Sequence, residues 1–279
     1  MFSGIFLNNS RFRGRLKVVY YIAKSIFARR TWRTTGGTCI VCGEKSHFYT
    51  FYVGFNQYGV DPADETGFCW QCGAQNRNRA LALVILTNYF GSRFANIKST
   101  VGSEKQKIFI AAANGALPCN LSHHINIAFS EYFEDTPPGE FRGNTLCQDL
   151  TNLSFDDVSL DLIVSEHVLE HVNDPLKAFL EIHRVLKPGG MTIFTIPFEA
   201  KNTSITRLTP DMIEIESKKY HKDPLRNDGS LVFTDFAKED FVERFLRPAG
   251  LIGEILSICD STHCVSNSIV VVARKNDVD

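Results

Sequence analysis

The alternation of apolar and polar positions is clearest between residues 150 and 198. Leu160 to Val164 form a short, mostly apolar run, which is typical of a buried parallel strand. Asp174 and Pro175 follow as a helix start, because Asp is a common N-cap and Pro fits the first helical position. Met191 to Ile196 form the next apolar run. The pattern predicts one βαβ unit.

The helix inside this unit has a defined face and a defined end. Its apolar residues recur at helical spacing, so one face is expected to pack on the sheet; they are Leu176, Phe179, Leu180 and Val185 or Leu186. Lys187-Pro188-Gly189-Gly190 should stop the helix, because Pro cannot continue it and Gly can take the left-handed turn.

The same alternation extends to both sides of this unit. Strands are predicted from Lys107, over Ile125–Tyr132, from Thr145, over Leu251–Ile258 and over Ser268–Ala273. Helices are predicted over Ala80–Phe94 and Lys238–Leu246, the latter ended by Pro248 and Gly250. Asn96 to Gln106 is polar and predicts a linker, and Glu199 to Ser230 predicts an insertion before the last helix. The order of elements indicates an α/β fold.

Composition limits the class of protein. The chain has 279 residues, 44% hydrophobic and 22% charged, which suits one α/β domain with a small additional module. No apolar run approaches the length of a membrane span. Four of the eight cysteines form two Cys-x-x-Cys pairs, an arrangement that favours a metal site in a reducing compartment over disulfides. We therefore expect a cytoplasmic protein.

Charge is unevenly distributed, although the formal net charge is only −1. Eight basic residues precede the first acid, Glu44; they are Arg11, Arg13, Arg15, Lys17, Lys24, Arg29, Arg30 and Arg33. Leu16 to Arg30 can form a helix with a shared face of Leu16, Val19, Tyr20, Ala23 and Phe27.

Two interpretations of this basic segment remain open. Residues 11–33 can hold the protein at the inner face of the membrane, near anionic lipid or a lipid-linked substrate. Alternatively, the segment is a helix packed on the protein's own surface or a disordered basic arm. Its charge would also attract RNA.

The paired cysteines have the spacing of metal ligands. Cys39 and Cys42 form one pair, Cys69 and Cys72 form the other, and a glycine follows each pair. Four thiolates suit a closed tetrahedral zinc site, and a site without an open position is structural, not catalytic. Cys259, His263 and Cys264 are irregularly spaced and are interpreted as loop residues.

The βαβ unit also resembles a known family. The stretches from Asp161 to Val172, which includes Leu-Glu-His, and from Arg184 to Gly190 are similar to class I S-adenosylmethionine (SAM) dependent methyltransferases of the small-molecule type 11 branch. The resemblance runs from about Lys107 to Lys275. Within the family, the chain is most similar to a subgroup with an N-terminal zinc knuckle. It implies a Rossmann-like, mostly parallel seven-stranded sheet preceded by a zinc-ribbon-like module. The corresponding division is a basic arm at 1–34, the module at 35–78 and the methyltransferase domain at 79–279.

Cofactor-binding positions follow from this resemblance. The SAM-binding turn falls on Ala112, Ala113, Asn114 and Gly115, where the family usually has an acid and more glycines. Glu131 matches the acid that accepts both ribose hydroxyls, and the alternative is a solvated carboxylate at a loop edge. The implied site is completed by Asp149 and Leu150 beside the adenine, with Glu166 and His167 after the fourth strand. For Asp149 the alternative is an Asx-turn.

Candidate catalytic residues come from the fourth strand and from the insertion. His167 is a candidate to lie near the reacting methyl group, whereas His171 is interpreted as a structural hydrogen-bonding residue. The zinc-knuckle subgroup carries a similar Tyr-His-x-Asp-Pro stretch, which makes His221 the candidate base and Asp223 its orienting carboxylate. The alternative is a loop that merely folds over the sheet.

The resemblance implies an enzyme that methylates a small polar acceptor, with SAM as donor and zinc as a structural ion. The expected acceptor is a sugar hydroxyl in a surface glycan or its lipid-linked precursor. One alternative is a ribosomal RNA methyltransferase with a zinc ribbon, although only the N-terminal segment is basic. Another is a binding protein that kept the fold and lost the activity.

Overall fold

A computed structural model describes residues 10–27, 32–51, 66–100, 106–124, 126–221 and 228–276. Asp223 lies outside these ranges. The chain forms two compact units, and neither is one continuous stretch. Unit 1 combines Met1–Lys105, Ala112–Ile127 and Leu256–Val270, and unit 2 combines Gln106–Ala111, Ala128–Ile255 and Val271–Asp279. No helix in the described ranges is both long and apolar enough to cross a bilayer.

Unit 1 begins with a helix and a small antiparallel sheet. Helix α1 (Ser10–Phe27) precedes strands β1 (Trp32–Thr38), β2 (Lys45–Phe51) and β3 (Phe68–Cys69), which pair in that order. A buried helix α2 (Asn76–Val84) follows and continues as a π-helical turn over Ile85–Tyr89. A short helix α3 (Ala116–Leu121) completes the helices of this unit.

Helix α1 packs through a different face from the one predicted. Val18 is fully buried, and the Tyr21 ring stacks on Phe51 and Phe68. The predicted face is exposed at each member whose side chain is described; these are Leu16, Val19, Tyr20 and Ala23. Helix α1 therefore packs on the protein's own surface, as one of the two interpretations had it, but it does so through Val18 and Tyr21 and not through the predicted shared face. The helix has apolar residues on more than one side, and the aromatic residues of the sheet select which side docks.

The predicted linker is also ordered in its first part. Residues Ile97–Ser99 form a 3-10 turn, and the Ile97 side chain is fully buried. The backbone N–H groups of Ile97 and Lys98 donate to the carbonyls of Ile40 and Val41, at 2.9 and 3.0 Å. Polar composition alone predicted a linker here, but the backbone of these residues is hydrogen-bonded to the first cysteine turn.

Unit 2 is built on the main sheet. Its strands are β4 (Ile108–Ile110), β5 (Ile127–Glu131), β6 (Phe141–Arg142), β7 (Thr145–Cys147), β8 (Leu160–Glu166), β9 (Leu186–Thr195), β14 (Leu251–Asp260) and β15 (Val265–Lys275), in the order β14-β15-β9-β8-β4-β5-β7-β6. The pairs β4–β8, β8–β9 and β5–β7 are parallel. β15 joins β9 antiparallel, as expected for the last strands. The two-residue strand β6 adds to the seven predicted strands.

Helix α4 (Pro175–Val185) confirms the predicted βαβ unit. The Asp174 side chain accepts a hydrogen bond from the backbone N–H of Lys177 at 3.0 Å, which makes it the N-cap. Phe179 is buried in the main core, but Leu180 is exposed, so the predicted face is wrong at that position.

The predicted stop after α4 is confirmed, because the helix ends at Val185 and Gly189 has positive φ, 72°. The next strand begins earlier than predicted: β9 starts at Leu186, and a register shift lies between the pairs Leu160–Leu186 and Leu162–Met191. Lys187 to Gly190 therefore form an irregular part of that strand. Helix α5 (Lys238–Phe241) continues as a π-helical turn to Leu246, which confirms the last predicted helix.

The insertion folds into two small strand pairs. β10 (Ile205–Thr206) pairs with β13 (Thr234–Asp235), and β11 (Lys219–His221) pairs with β12 (Ser230–Val232). The N–H of Phe233 donates to the carbonyl of Glu170 at 2.8 Å. This bond ties the insertion to the 3-10 turn Leu169–His171, which follows β8.

Candidate functional site

Unit 1 brings the four paired cysteines together in a buried group, here called the four-cysteine cluster (Cys39, Cys42, Cys69 and Cys72). Their sulfur atoms all lie within 4.8 Å of one another, and Cys39 and Cys72 approach to 3.8 Å. The donor set is four soft sulfurs without a carboxylate or imidazole, which fits a tetrahedral zinc ion.

The two cysteine pairs have the same backbone geometry. The N–H of Gly43 donates to the carbonyl of Cys39 at 2.7 Å, and that of Gly73 donates to the carbonyl of Cys69 at 2.8 Å. Both glycines have positive φ, 77° and 75°, which a residue with a side chain seldom adopts. The repeated turn aims both sulfurs of a pair at one point, as the spacing predicted.

Crowding of the four thiols perturbs their acidity. The hydrogen bond with Cys42 raises the pKa of Cys39, and the hydrogen bond with Cys39 raises the pKa of Cys72. The hydrogen bond with Cys39 lowers the pKa of Cys69. Protons are thus divided unequally within the cluster, because four adjacent thiolates repel one another. A divalent cation would remove this repulsion.

Arg79 is a buried cation beside the four-cysteine cluster. It is 1% exposed and donates to four backbone carbonyls of unit 1, those of Gly67, Ala74, His263 and Cys264, at 2.5 to 3.1 Å. Its guanidinium also lies 4.2 Å from the centre of the Phe48 ring. Burial lowers the pKa of Arg79, and the nearby thiols counteract this. Arg79 therefore braces the second cysteine turn.

Cys259, His263 and Cys264 do not belong to a metal-ligand group in the described ranges. Residues 261–264 form the turn between β14 and β15, as the irregular spacing indicated. His263 Nδ1 lies 2.9 Å from Asp260 Oδ1, and Cys264 Sγ lies 3.4 Å from the carbonyl oxygen of Gly36.

The predicted cofactor residues follow the carboxyl ends of strands. Within unit 2, Glu131 and Glu166 are the last residues of β5 and β8, and His167 comes directly after β8. The N–H of Gln148 donates to the carbonyl of Glu131 at 3.1 Å, which joins the ends of β5 and β7. Parallel strands present their carboxyl ends at one edge, where α/β sheets bind ligands.

Asp149 forms the Asx-turn considered for it. Its Oδ1 accepts from the N–H and the hydroxyl of Thr151, both at 2.8 Å. Leu150 is buried in the main core. Contacts to adenine therefore stay a prediction for both residues.

The predicted turn Ala112–Gly115 belongs to unit 1 and leads into α3. Positive φ occurs at Gly115, where it is 129°, and not at Asn114. Asn114 and Gly115 are exposed, and Ala112 and Ala113 are half-buried.

A second group of titratable residues lies entirely in unit 2. We call it the histidine–glutamate cluster; its members are His167, Glu170, His171, Glu199 and His221. Glu170 is at its centre and is 1% exposed. Its Oε1 lies 3.7 Å from His171 Nε2, 3.9 Å from His167 Nδ1 and 3.9 Å from His221 Nδ1.

The backbone around the cluster fixes these side chains. His171 Nδ1 donates to the carbonyl of Leu231 at 2.8 Å, which confirms its predicted hydrogen-bonding role. His167 has positive φ, 51°, and its N–H donates to the carbonyl of Thr195. His221 lies on β11, so the insertion carries it to residues that follow β8.

Glu199 supplies the carboxylate beside His221. Its Oε2 lies 3.6 Å from His221 Nε2 and forms an ion pair with Lys219, which also contacts Asp235 at 2.9 Å. Arg207 binds Asp235 as well, through Nε at 2.7 Å. Burial raises the pKa of Glu199, but the interactions with His221 and Lys219 outweigh burial and lower the pKa to about 2.

Sequence reasoning missed Glu170 and Glu199 as site residues. Glu170 stands inside the Leu-Glu-His triplet that carries the family resemblance, so a signal for it was present. Glu199 begins the insertion directly after the buried run of β9, but nothing in the sequence pairs it with His221. Asp223, the predicted orienting carboxylate, lies outside the described residues.

Comparison with known proteins identifies the central part of the chain. Residues 110–194 match the family model described as a methyltransferase domain. A 45-residue segment is 51% identical to demethylmenaquinone methyltransferase of Staphylococcus epidermidis and covers 16% of this chain and 19% of that protein. A 54-residue segment is 39% identical to dimethylglycine N-methyltransferase of Parasynechococcus marenigrum, covering 19% of each. The chain thus spans about a fifth of the length of these curated relatives.

Solved structures show a looser similarity. A SAM-dependent methyltransferase from Methanosarcina mazei has 17% identity and a TM-score of 0.38, with 63% of this chain and 94% of that chain covered. One from Mesorhizobium loti has 16% identity and a TM-score of 0.40, with 62% and 94% covered.

The matched segment begins at the end of β4 and ends within β9, so it contains the parallel core of the main sheet and the βαβ unit. It also contains Glu131, Asp149, Glu166 and His167, which follow the strand ends as the family pattern requires. The matched segment, residues 110–194, is thus similar to a methyltransferase domain.

Proposed function

We propose that the protein transfers the methyl group of SAM to a hydroxyl of a small polar acceptor. The observation that supports this proposal is the match of residues 110–194 to a methyltransferase domain, together with the acidic residues Glu131, Asp149 and Glu166 at or just after the carboxyl ends of β5, β7 and β8. Proteins with this arrangement bind ligands at that edge of the sheet. The acceptor oxygen gains a methyl group and loses its proton, while the sulfonium sulfur keeps the electron pair of the broken bond.

Glu131 is the residue proposed to hold the ribose. It is the last residue of β5, so its carboxylate is carried by a rigid strand, and one carboxylate can accept from two hydroxyls. The half-buried Ala112 and Ala113, followed by Gly115 with positive φ, offer the small side chains that backbone contact with a cofactor needs.

The pair His221–Glu199 is proposed to activate the acceptor. The carboxylate of Glu199 faces Nε2 of the imidazole, so it favours the tautomer with the proton on Nε2 and the lone pair on Nδ1. The lone pair then faces the buried side of the histidine–glutamate cluster, towards Glu170. Glu199 takes the orienting role that the sequence assigned to Asp223.

Calorimetry with SAM tests the proposed function directly. We expect the wild-type protein to bind SAM and Glu131→Ala to bind it at least roughly tenfold more weakly, the scale of one lost charge-assisted hydrogen bond. Glu134→Ala is the matched control, because Glu134 is an exposed acid on the same loop. Absence of SAM binding by the wild-type protein would refute the proposed activity. Equal affinities of the two variants would remove only the ribose assignment.

A sugar hydroxyl in a glycan or its lipid-linked precursor is the acceptor we propose, and helix α1 is the feature that supports it. Leu16, Val19, Tyr20 and Ile26 are exposed apolar residues on this helix. Arg15, Lys17 and Lys24 lie on the same helix, so the exposed surface combines apolar and basic groups. This combination suits the surface of an anionic bilayer.

Vesicle sedimentation tests the lipid contact. We expect the protein to sediment with vesicles that contain anionic phosphatidylglycerol and less with neutral phosphatidylcholine vesicles. Val19→Glu combined with Tyr20→Glu should abolish the difference, whereas Leu180→Glu, an exposed position on α4, should preserve it. Equal sedimentation of all variants would contradict a role for α1. Binding to RNA but not to vesicles would favour the RNA methyltransferase alternative.

We also propose that the four-cysteine cluster holds one structural zinc ion. Its support is the buried set of four sulfurs within 4.8 Å of one another and the repeated backbone turn of the two cysteine pairs. Four protein ligands leave no position for a substrate, so the ion stabilises unit 1 and takes no part in methyl transfer.

A further inference from the structure

Three side chains of the histidine–glutamate cluster can direct electron-pair donors at one point. Glu170, His171 and His221 each offer one ligand atom, and these atoms all lie within 4.8 Å of one another. Glu170 Oε1 is 3.7 Å from His171 Nε2 and 3.9 Å from His221 Nδ1, which exceeds the length of an N–H···O hydrogen bond. Both distances are shorter than twice a bond from a metal ion to nitrogen or oxygen, about 4.0 to 4.4 Å. One cation can therefore bridge Glu170 to either histidine, and the two histidine nitrogens lie within 4.8 Å of each other.

The tautomers of the two histidines favour this interpretation. His171 Nδ1 must carry its proton, because the carbonyl of Leu231 that it contacts can only accept. Glu199 lies 3.6 Å from Nε2 of His221, beyond a direct hydrogen bond, but its negative charge favours a proton on that nitrogen. In the neutral imidazoles the remaining nitrogen of each ring then has its lone pair on the side of Glu170, and such a lone pair can bind a cation.

Both histidines also have neighbours of the kind that supports histidine ligands in metal sites. A ligating imidazole commonly donates its second N–H to a backbone carbonyl or a carboxylate, which fixes the ring. Leu231 supplies the carbonyl for His171, and Glu199 supplies the carboxylate for His221. The two rings stand edge to face with their centres 5.2 Å apart, so they approach the carboxylate from different directions.

The donor types define the class of cation. Two imidazoles and one carboxylate suit first-row transition ions such as Zn²⁺, Mn²⁺ or Fe²⁺, whereas Mg²⁺ and Ca²⁺ prefer oxygen ligands. Three protein ligands leave at least one position open, in contrast to the closed four-cysteine cluster. An oxygen bound at an open position of such an ion loses its proton more readily.

We propose that Glu170, His171 and His221 form a second metal site, which binds a divalent transition-metal cation with an open coordination position. The binding property stands independently of methyl transfer. A role in acidifying the acceptor hydroxyl rests on the proposed function; with an ion bound to its Nδ1, His221 would act on the acceptor through that ion and not as a free base.

Zinc titration of the full-length protein tests the proposal. Protein carrying one zinc per chain is titrated with Zn²⁺ by calorimetry, and the final stoichiometry is measured by mass spectrometry of the metal. We expect a second equivalent to bind to the wild-type protein and to be lost in His171→Ala and in Glu170→Gln. Glu199→Gln should lower the affinity for the second equivalent of zinc about 10- to 100-fold, as expected for a residue that supports a metal ligand.

Controls separate this site from surface binding and from misfolding. His263→Ala removes a histidine that pairs with Asp260 in unit 1 and should retain the second equivalent. Retention of the first zinc shows that unit 1 is folded, and an unchanged urea unfolding transition shows that the variant as a whole is folded. His221→Ala on the β11–β12 hairpin repeats the test at a less buried position. A stoichiometry of one in the wild-type protein would overturn the proposal, as would a second equivalent that survives in all three ligand variants. SAM binding is measured separately, so its absence would refute the proposed function without deciding the metal site.

Discussion

Replacing Arg79 with Met tests whether the buried guanidinium holds unit 1 together. The side chain donates to four carbonyls that come from three separate parts of the chain, and it stacks on Phe48. Met has a similar length and can fill much of the space, but it donates no hydrogen bond. The substitution therefore isolates the polar contribution from the packing contribution.

The magnitude follows from the number of bonds and from their environment. A hydrogen bond to a charged group contributes about 1.5 to 3 kcal/mol, so four give an upper bound near 6 to 12 kcal/mol. Transfer of the guanidinium out of water offsets part of this. Breaking a buried charged network typically costs about 3 to 5 kcal/mol, and we expect Arg79→Met to lower the free energy of unfolding by that amount. Arg79→Lys should recover less than half of the loss, because a single ammonium cannot reproduce the planar fork.

Urea denaturation at a fixed concentration of free zinc measures the effect, since bound metal adds to apparent stability. Arg93→Met is the control, because Arg93 is exposed in the same unit and should change stability by less than about 0.5 kcal/mol. If Arg79→Met lost less than about 1 kcal/mol, or behaved like Arg93→Met, the reasoning would be refuted.

Two further predictions concern the metal and the acid dependence of stability. Cys69→Ser should lose the zinc of the four-cysteine cluster and Cys259→Ser, at an exposed cysteine, should keep it, as measured by metal analysis after dialysis; equal zinc contents would contradict the assignment. The bidentate hydrogen bonds from Arg184 lower the pKa of Glu181 below its usual 4.5, so this carboxylate adds stability above about pH 4.5 that is lost as pH falls through the lowered pKa. Glu181→Gln should lower the urea midpoint at pH 7 and have less effect near pH 3, whereas Glu254→Gln, an exposed acid, should have little effect at either pH.

The sequence predicted those parts of the fold that depend only on residues close together in the chain. Asp174 and Pro175 fixed the start of α4, because capping needs only neighbouring residues. Cys-x-x-Cys-Gly predicted the cysteine turns for the same reason. The four cysteines are expected to meet because such pairs seldom occur twice without a shared metal.

Features that depend on tertiary pairing were not predictable in this way. Lys187 to Gly190 end the helix as predicted, but the sequence did not show that pairing of Leu186 with Leu160 on β8 also includes them in β9. Helix α1 offers more than one apolar stripe, and only the position of Phe51 and Phe68 decides that Val18 and Tyr21 dock.

The histidine–glutamate cluster shows the same limit at the level of the site. Glu170 and His221 are separated by 51 positions in the sequence, and no periodic pattern connects them. Their contact depends on the hydrogen bond from Phe233 to Glu170, which anchors the insertion. The sequence named His221 as the candidate base, and His221 lies in this cluster; Asp223, the carboxylate predicted to orient it, lies outside the described residues.

Unit 1 is completed by residues from near the opposite end of the chain. Asn76 binds the backbone of Ser266 through both its amide nitrogen and its carbonyl oxygen, at 2.7 and 3.0 Å, and Arg79 reaches His263 and Cys264 beside it. Ribosomal synthesis makes those partners well after Asn76 and Arg79, so the cysteine-bearing region cannot reach its final form until residues 256–270 have been made. A fragment of residues 1–105 would lack these partners. Grafting the cysteine-bearing region onto another protein would require residues 256–270 to be grafted as well.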